Sequence, residues 1–368
     1  MKTKMLTLIA IGALLCTTLT LVDANAAGSG FDITDDDKTT VHFDAAAEHI
    51  VVCGLGPTLT IADAGAISKV VAVDKYSTYS SSKNEKLKDL DAVDLGSFYG
   101  STNHEKIVTE LINLVENGKL SKNDPIVLTT YSANTVLKEE LVEAGFTKVL
   151  RWDTSSVGSY SDILDFVEDI TMIATGEKGD VVSNMEKTIQ TVEDGVSGVT
   201  ADEKKKAISI WYSSKNGVMV NNIGIAQSML EVCNATQVGY KADGGQYYGD
   251  EATVISLLES NPGCVIFLNS AWESAEKTVE DFRNEVLGGN TDFKIVQMGA
   301  LWNNYCPESA DGLLEMAKAI YPERFGVDPD PTPEGGDGNS NLLMWVVVLT
   351  VAIIIGAAAY VVFKRTHG

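Results

Sequence analysis

Apolar runs of strand length alternate with longer amphipathic stretches along most of the chain. HIVVCG (49–54) precedes a helical stretch at Thr58–Ala66, and VVAVD (70–74) precedes a helix from His104 to Asn117. PIVLTT (125–130), a helix at Thr135–Ala144 and KVLRW (148–152) complete the first half. The second half repeats the rhythm with AISIWY (207–212), helices at Gly224–Val232 and Glu251–Glu259, and CVIFLN (264–269). A helix at Ala275–Leu287, KIVQM (294–298) and a helix at Ser309–Ile320 close it. Short apolar strands joined through helices are the pattern of parallel sheets built from βα units. The predicted fold class is α/β: two Rossmann-like lobes with central parallel sheets, joined by a long helix.

That helix is read from Tyr160 to Val199. Ile163, Leu164, Phe166, Val167, Ile170 and Ile173 form one apolar stripe, Gly176 and Gly179 interrupt it, and Val181, Val182, Met185, Ile189 and Val192 form a second. A helix of about 19 residues spans close to 30 Å, a stiff connection that favours small rocking over wide hinge closure. The expected organisation is an N-terminal lobe at 31–159, connecting helices at 160–199 and a C-terminal lobe at 204–326.

Both ends carry different patterns. Residues 1–26 combine Lys2 and Lys4, an apolar run and the small-x-small Ala24-Asn25-Ala26, the pattern of a secretory signal peptide. Residues 327–341 read as a Pro/Gly-rich linker, and 342–363 as an apolar transmembrane anchor followed by Lys364 and Arg365 in a cytoplasmic tail at 364–368. The expected location is the cell membrane, single-pass, with the binding domain outside.

Composition narrows the function. Acidic residues outnumber basic ones, 51 to 28, giving a net charge of −23 and no basic patch to hold a phosphate backbone, so no nucleic-acid partner is expected. Cys53, Cys233, Cys264 and Cys306 are widely spaced without CxxC or Cys/His pairing, so no zinc site is encoded, and their disulfide state is open. His42, His49 and His104 are too few and too scattered for a His-cluster metal site; His104, opening a helix, is a candidate axial ligand to haem iron or a solvated polar residue. Arg151 is a candidate partner for a ligand carboxylate or for a surface acid. No resident cofactor, metal or catalytic residue is assigned: Ser-His-Asp order, GxSxG and paired carboxylates are not found.

One unit imitates a dinucleotide-binding motif: the strand IVVC, Gly54-Leu55-Gly56, a helix, the strand VVAV, then Asp74. Leu59 stands where the third glycine belongs, where its side chain crowds the helix–strand contact.

The order of segments resembles the substrate-binding proteins of ABC importers for iron complexes, haem and cobalamin, the group with a rigid helix between its lobes. The likeness runs from about Phe31 to Gly326. FDITDDDKTTVHFD is similar to that group's opening hairpin, followed by AEHIVVCGLGPT, VVAVDKY, LGSFYGSTNHEKI and ATGEKGDVVSNMEKTIQTV in the expected order. NGVMVNNIGIAQSMLEVCNATQV, YGDEATVISLLESNPGCVIFLN and DGLLEMAKAIYPERFG resemble its later segments. The resemblance implies a cleft between the lobes. Members carry a glutamate on each lobe that docks to permease arginines. GPTLTIADAGA has none, leaving Asp63 as a stand-in and Glu231 as the candidate on the other lobe.

Ligands of parallel sheets bind beyond the carboxyl ends of strands, where this chain is rich in aromatic residues. The candidates are Tyr76, Tyr79, Phe98, Tyr99, Tyr131 and Trp152 in the first lobe. In the second they are Tyr212, Tyr247, Tyr248, Trp272, Trp302 and Tyr305, with Trp211 beside Tyr212. All are read as lying in loops after strands. Flat apolar faces with polar edges suit a large planar ligand, such as a metal chelate, corrinoid or porphyrin; packing between core elements is the competing role. The function expected is capture of an iron chelate (siderophore), haem or cobalamin and delivery to an ABC importer. The alternative is a membrane-anchored sensor or scavenging receptor without a dedicated permease; an extracellular enzyme ranks last.

Overall fold

A computed structural model describes residues 30–81, 84–98, 103–129, 134–154 and 158–327. The chain opens with an antiparallel hairpin of β1 (Phe31–Thr34) and β2 (Thr40–Phe43). Its period-2 alternation buries Ile33, Val41 and Phe43. The hairpin is pinned to the first lobe by buried charge. Asp35 accepts from the ammonium of Lys138 at 2.5 Å and from the backbone N–H of Arg151 at 2.9 Å. The Arg151 guanidinium in turn grips Asp37, holding that carboxyl below its ordinary pKa.

The first lobe contains β3 (Ile50–Cys53), α1 (Leu55–Asp63), β4 (Val70–Val73), α2 (Lys75–Ser81), β5 (Val93–Asp94), α3 (His104–Glu116), β6 (Ile126–Thr129), α4 (Asn134–Glu143) and β7 (Val149–Trp152). Its sheet has the order β5-β4-β3-β6-β7, all pairs parallel. β3, β6 and β7 are buried on both faces, as continuous Val/Ile/Leu runs require. The strand order reverses between β3 and β6, which opens a crevice at their carboxyl ends.

Two helices lead to the second lobe: α5 (Tyr160–Thr175) and α6 (Gly179–Val196). Ser159 and Asp162 form a capping box at the start of α5, and Gly176, at φ 80°, stops it. The apolar stripe of α5 is buried at Ile163, Phe166, Val167, Ile170 and Ile173.

The second lobe contains β8 (Lys206–Ser213), β9 (Gly217–Asn221), α7 (Ile225–Val232), β10 (Thr236–Gln237), β11 (Tyr247–Tyr248), α8 (Glu251–Glu259), β12 (Val265–Leu268), α9 (Ser270–Ser274), α10 (Val279–Glu285), β13 (Ile295–Gln297) and α11 (Glu308–Ile320). Its sheet runs β11-β9-β8-β12-β13, with β10 also on β8. Here the expectation of a parallel sheet is corrected: β9 and β11 are antiparallel. The Asn216-Gly217 pair, with Gly217 at φ 71°, reverses the chain directly after β8, so no crossover helix intervenes. Of the helix expected at Ala275–Leu287, Val279–Glu285 is helical (α10), because Thr278 builds a capping box with Asp281; α9, which Asn269 caps, lies just before it and was not expected. α1 starts at Leu55 rather than Thr58, since a proline in the first turn lacks only an N–H that has no intrahelical partner.

One apolar core runs without a break from the first sheet (Ile50, Val52, Val73) through α5 and α6 into the second sheet (Ala207, Val265, Phe267). Smaller cores lie on the far face of each sheet. The four described cysteines are free and buried, and burial pushes their thiol pKa values up, to about 12 for Cys264.

The expected single-pass membrane location is corrected. Among the described residues no helix is long and apolar enough to cross a membrane. The longest, α6, carries Asp180, Glu186, Lys187, Glu193 and Asp194 opposite its buried stripe. The signal-peptide reading at 1–26 and the apolar segment at 342–363 lie outside the described residues.

Candidate functional site

The sheet reversal and the β8–β9 hairpin bring two helix starts to one cavity. Gly54 ends β3 and caps α1; Gly224 follows β9 and caps α7. Both glycines hold positive φ, 141° and 117°, which an L side chain rarely adopts. Neither start has a side-chain cap or an acidic residue in its first turn. Both helices lie against α5. Between them is a cavity of about 220 Å³.

Its first-lobe wall is Gly54 to Pro57, Tyr76 and Thr129; its second-lobe wall is Asn221, Gly224, Ile225, Gln246 and Tyr247. Thr154, Asn303, Asn304 and Tyr305 complete it, and among the described residues no charged one lines it. Thr129 donates to the Cys53 carbonyl, fixing β6 beside the end of β3. On the other side, fully buried Asn222 holds the loop before β11 by accepting from the Lys241 N–H at 2.7 Å and donating to the carbonyls of Lys241 and Gly245. That loop delivers Gln246 and Tyr247, whose ring stacks on Trp211 at 4.4 Å.

The aromatic candidates part company here. Tyr76, Tyr247 and Tyr305 line the cavity. Tyr76 is 42% exposed and Tyr79 62%, and both stand on α2, a helix where a loop was expected. Phe98 is buried in the outer core of the first lobe. Trp152 is buried too, edge-on to Phe166, which is edge-on to Tyr305, both at 5.5 Å. Tyr212 meets Trp272 edge-on at 5.1 Å, and the Trp272 indole donates to the Thr278 carbonyl within the second-lobe core. Tyr248 donates to the Gly239 carbonyl under the Lys241 ammonium, and Trp302 packs over Gly312 against the central core. Trp152 ends β7 and Tyr212 belongs to β8, as the strand readings KVLRW and AISIWY placed them, whereas the loop placement is corrected for Tyr247 and Tyr248, which form β11, and for Trp272, which belongs to α9. Tyr99 and Tyr131 lie outside the described residues.

The polar candidates are engaged. Lys86 bridges Asp63 on α1 and Glu308 on α11, at 2.8 and 2.6 Å. Burial raises the Asp63 pKa, partly offset by that lysine. Glu231 pairs with Gln227 on the same helix turn. Arg151 is held by Asp37. His104 is buried, 3.6 Å from Glu140, and is not part of the cavity wall. Asp74 rules out the dinucleotide arrangement: it is buried and accepts from the backbone and hydroxyl of Ser77 and the backbone of Tyr76 and Gly54, so it caps α2 and has no room for a ribose hydroxyl. Among the described residues no cluster of His, Cys, Asp and Glu would hold a metal ion.

The sequence reading missed the neutral set: Asn221, Gln246, Asn303 and Asn304. The NN pair before the second-lobe helix and NN after LW were its only signals.

No family model and no curated protein matches the chain. Solved structures do. The molybdate periplasmic binding protein MolA of Haemophilus influenzae superposes with a TM-score of 0.58 at 16% identity, covering 80% of this chain and 93% of that one. The periplasmic vitamin B12 binding protein BtuF of Vibrio cholerae gives 0.55 at 16%, covering 76% and 98%. An ABC-type Fe3+-hydroxamate transport structure from Saccharomonospora viridis gives 0.52 at 18%, covering 81% and 99%. The fold is that of the substrate-binding proteins of ABC importers for iron complexes, haem and cobalamin. Binding-protein neighbours described as periplasmic also stand against the single-pass membrane location.

Proposed function

We propose that this chain captures a solute in the cleft between its lobes and hands it on without making or breaking a bond. The observation that carries this is the cavity where α1 and α7 begin, lined from both lobes. A site that needs both lobes for its walls senses occupancy through their relative position, as a delivery protein must. The solute class is an iron chelate, haem or cobalamin. Tyr76 stands half-exposed on one rim, and Tyr247 stacked on Trp211 forms the other; such faces suit a partly apolar planar ligand. The cavity lies below the ~300–1,000 Å³ of pockets that enclose drug-sized ligands, so a large ligand sits in the open mouth with only one group reaching the floor.

The recipient is an ABC permease. A second reading, capture without a dedicated permease, is favoured by one observation: Lys86 occupies the Asp63 carboxylate, leaving it poorly placed to meet a permease arginine. A fluorescence titration with cobalamin, haem and ferric siderophores tests capture, because Trp211 reports on Tyr247. Saturable quenching by one of them supports the reading. A folded protein that responds to none of them overturns the large-chelate class.

A further inference from the structure

We infer a second binding site, on the back of the β8–β9 hairpin, for a neutral sugar unit, either a free saccharide or a sugar of a surface glycan. It lies apart from the cleft and does not depend on capture there.

Successive side chains of a strand point to opposite faces. Trp211 stacks on Tyr247, a wall of the cleft cavity, so the next residue of β8, Tyr212, points the other way and packs against the outer core of the second lobe. On that face, where β8 and β12 end and α9 begins, lies an open groove of about 490 Å³. This is within the ~300–1,000 Å³ of small-molecule sites. Tyr212, Ser214, Asn269, Ser270 and Ser274 line it, and Ala271 is small enough to leave it room. Among the described residues no charged one lines the groove, although the chain carries a net charge of −23. The Lys277 ammonium, 5.9 Å from the Tyr212 ring centre, is paired with Glu285 at 2.5 Å and sits over the Trp272 indole.

Asn269 points to a ligand. The residue is 5% exposed, and three of its four polar groups are engaged. Its N–H donates to the Ile210 carbonyl at 2.8 Å, and its carbonyl accepts from the Trp272 N–H at 3.0 Å. Its Oδ1 accepts from the Ala271 N–H at 3.0 Å, capping α9. That last bond fixes which end of the amide is oxygen. The remaining end is the N–H2, which has no partner among the described residues and meets the groove that Asn269 lines. A ligand oxygen that accepts from this rigidly held donor completes its hydrogen bonding. That oxygen is neutral, because the lining holds nothing to offset a carboxylate or an ammonium. The serine hydroxyls can each donate and accept, as every sugar hydroxyl does. The Tyr212 ring adds an apolar surface with a polar edge, which suits the C–H face of a sugar ring. α9 has only five residues and no dipole of consequence, so these side chains carry the recognition.

The test is calorimetric titration of the full chain with glucose, galactose and N-acetylglucosamine as free sugars, and with hexasaccharides of glucose and of N-acetylglucosamine as models of a surface glycan. Glucuronate and glucosamine serve as charged controls. Asn269→Asp keeps the capping oxygen and replaces the free donor with an acceptor, so it should weaken binding at least about tenfold. Ala271→Leu fills the groove and should abolish binding. Circular dichroism and melting check that both variants fold. Hydrogen exchange of the unmodified protein keeps the placement testable if either does not: sugar should raise protection in the segments 213–217 and 270–275. Saturable binding of a free sugar, weakened as stated, supports the inference and names the free source. Binding of a hexasaccharide alone, weakened likewise, supports it and names a glycan. Sugar binding indifferent to both folded variants, or protection confined to the cleft segments 239–247 and 299–305, overturns the placement. Binding of a charged control without any neutral sugar overturns the ligand class. Folded protein that binds none of these saccharides overturns the inference and leaves capture in the cleft standing.

Discussion

Asp169 lies on α5, its carboxylate accepting from the Trp152 indole, and burial together with Asp165 and Glu168 pushes its pKa up to about 7. In the unfolded chain the carboxyl titrates near 3.8. The folded form therefore binds the proton more tightly, so its stabilising contribution is complete below 3.8 and is lost as pH rises through about 7. At 1.36 kcal/mol per pH unit the full penalty on the ionised form is about 4 kcal/mol. The side chain is partly open to solvent, which screens it, and about 1.5 kcal/mol at pH 8 is the realistic size. Asp169→Asn keeps the hydrogen bond from Trp152 and removes the charge. Urea denaturation of both proteins at pH 5 and pH 8 is the assay. The variant should gain about 0.5 kcal/mol at pH 5 and about 1.5 kcal/mol at pH 8, as a shift of midpoint with unchanged slope. An equal gain at both pH values would mean a packing effect. A loss at pH 8 would mean that the carboxylate is paired rather than penalised, and the reasoning would be refuted.

Lys138→Met should destabilise by about 3–5 kcal/mol, because it leaves the fully buried Asp35 carboxylate without its cation; chemical denaturation at pH 7 reads this, and a loss under 1 kcal/mol would show that solvent reaches the pair. Cys53, Cys233, Cys264 and Cys306 should resist a thiol reagent in the native protein and react on unfolding; fast labelling of any of them contradicts the burial. Trp272→Ala should cost about 3–5 kcal/mol of stability, while Tyr76→Ala should stay within about 0.5 kcal/mol and weaken ligand quenching; the reverse ranking would exchange their roles as core and rim.

The first lobe was legible because its strands are buried on both faces and spell themselves as IVVC, VVAV and IVLT. β9 and β11 escaped the same reading. GVMVN is a hairpin partner marked only by Asn216-Gly217, and a two-residue strand such as Tyr247–Tyr248 leaves no periodicity to count. Aromatic residues beyond strands point to the end of the sheets where the cavity lies but do not separate rim from core. Trp152 and Trp272 sit one or a few residues after apolar runs, as Tyr247 does, and only the packing of Phe166 or Phe282 against them decides where they face. The neutral amides escaped notice because a single Asn or Gln carries no spacing signal. Asn221 gains its meaning from Ser209, twelve residues away across the β8–β9 hairpin.

How the cleft closes follows from the core. Trp152 at the end of the first sheet, Phe166 on α5 and Tyr305 in the second half form a chain of edge-to-face contacts, and the same apolar cluster takes in both sheets. Fully exposing one such side chain costs about 1.5–3 kcal/mol, so a hinge wide enough to part the lobes would forfeit several of these at once. The Lys86–Glu308 bridge and the Tyr160–Ser309 hydrogen bond tie the first lobe and α5 to α11 in the same sense. The proposed capture would therefore use small rocking over a largely preformed cleft, with little ordering cost for the connecting helices. Hydrogen exchange resolves this. Ligand should raise protection in the segments 239–247 and 299–305, which carry Gln246, Tyr247, Asn303 and Tyr305, and leave the amides of α5 and α6 unchanged. Faster exchange along α6 in the unliganded protein, abolished by ligand, would show instead that the helix is a working hinge and that the continuous core does not restrain it.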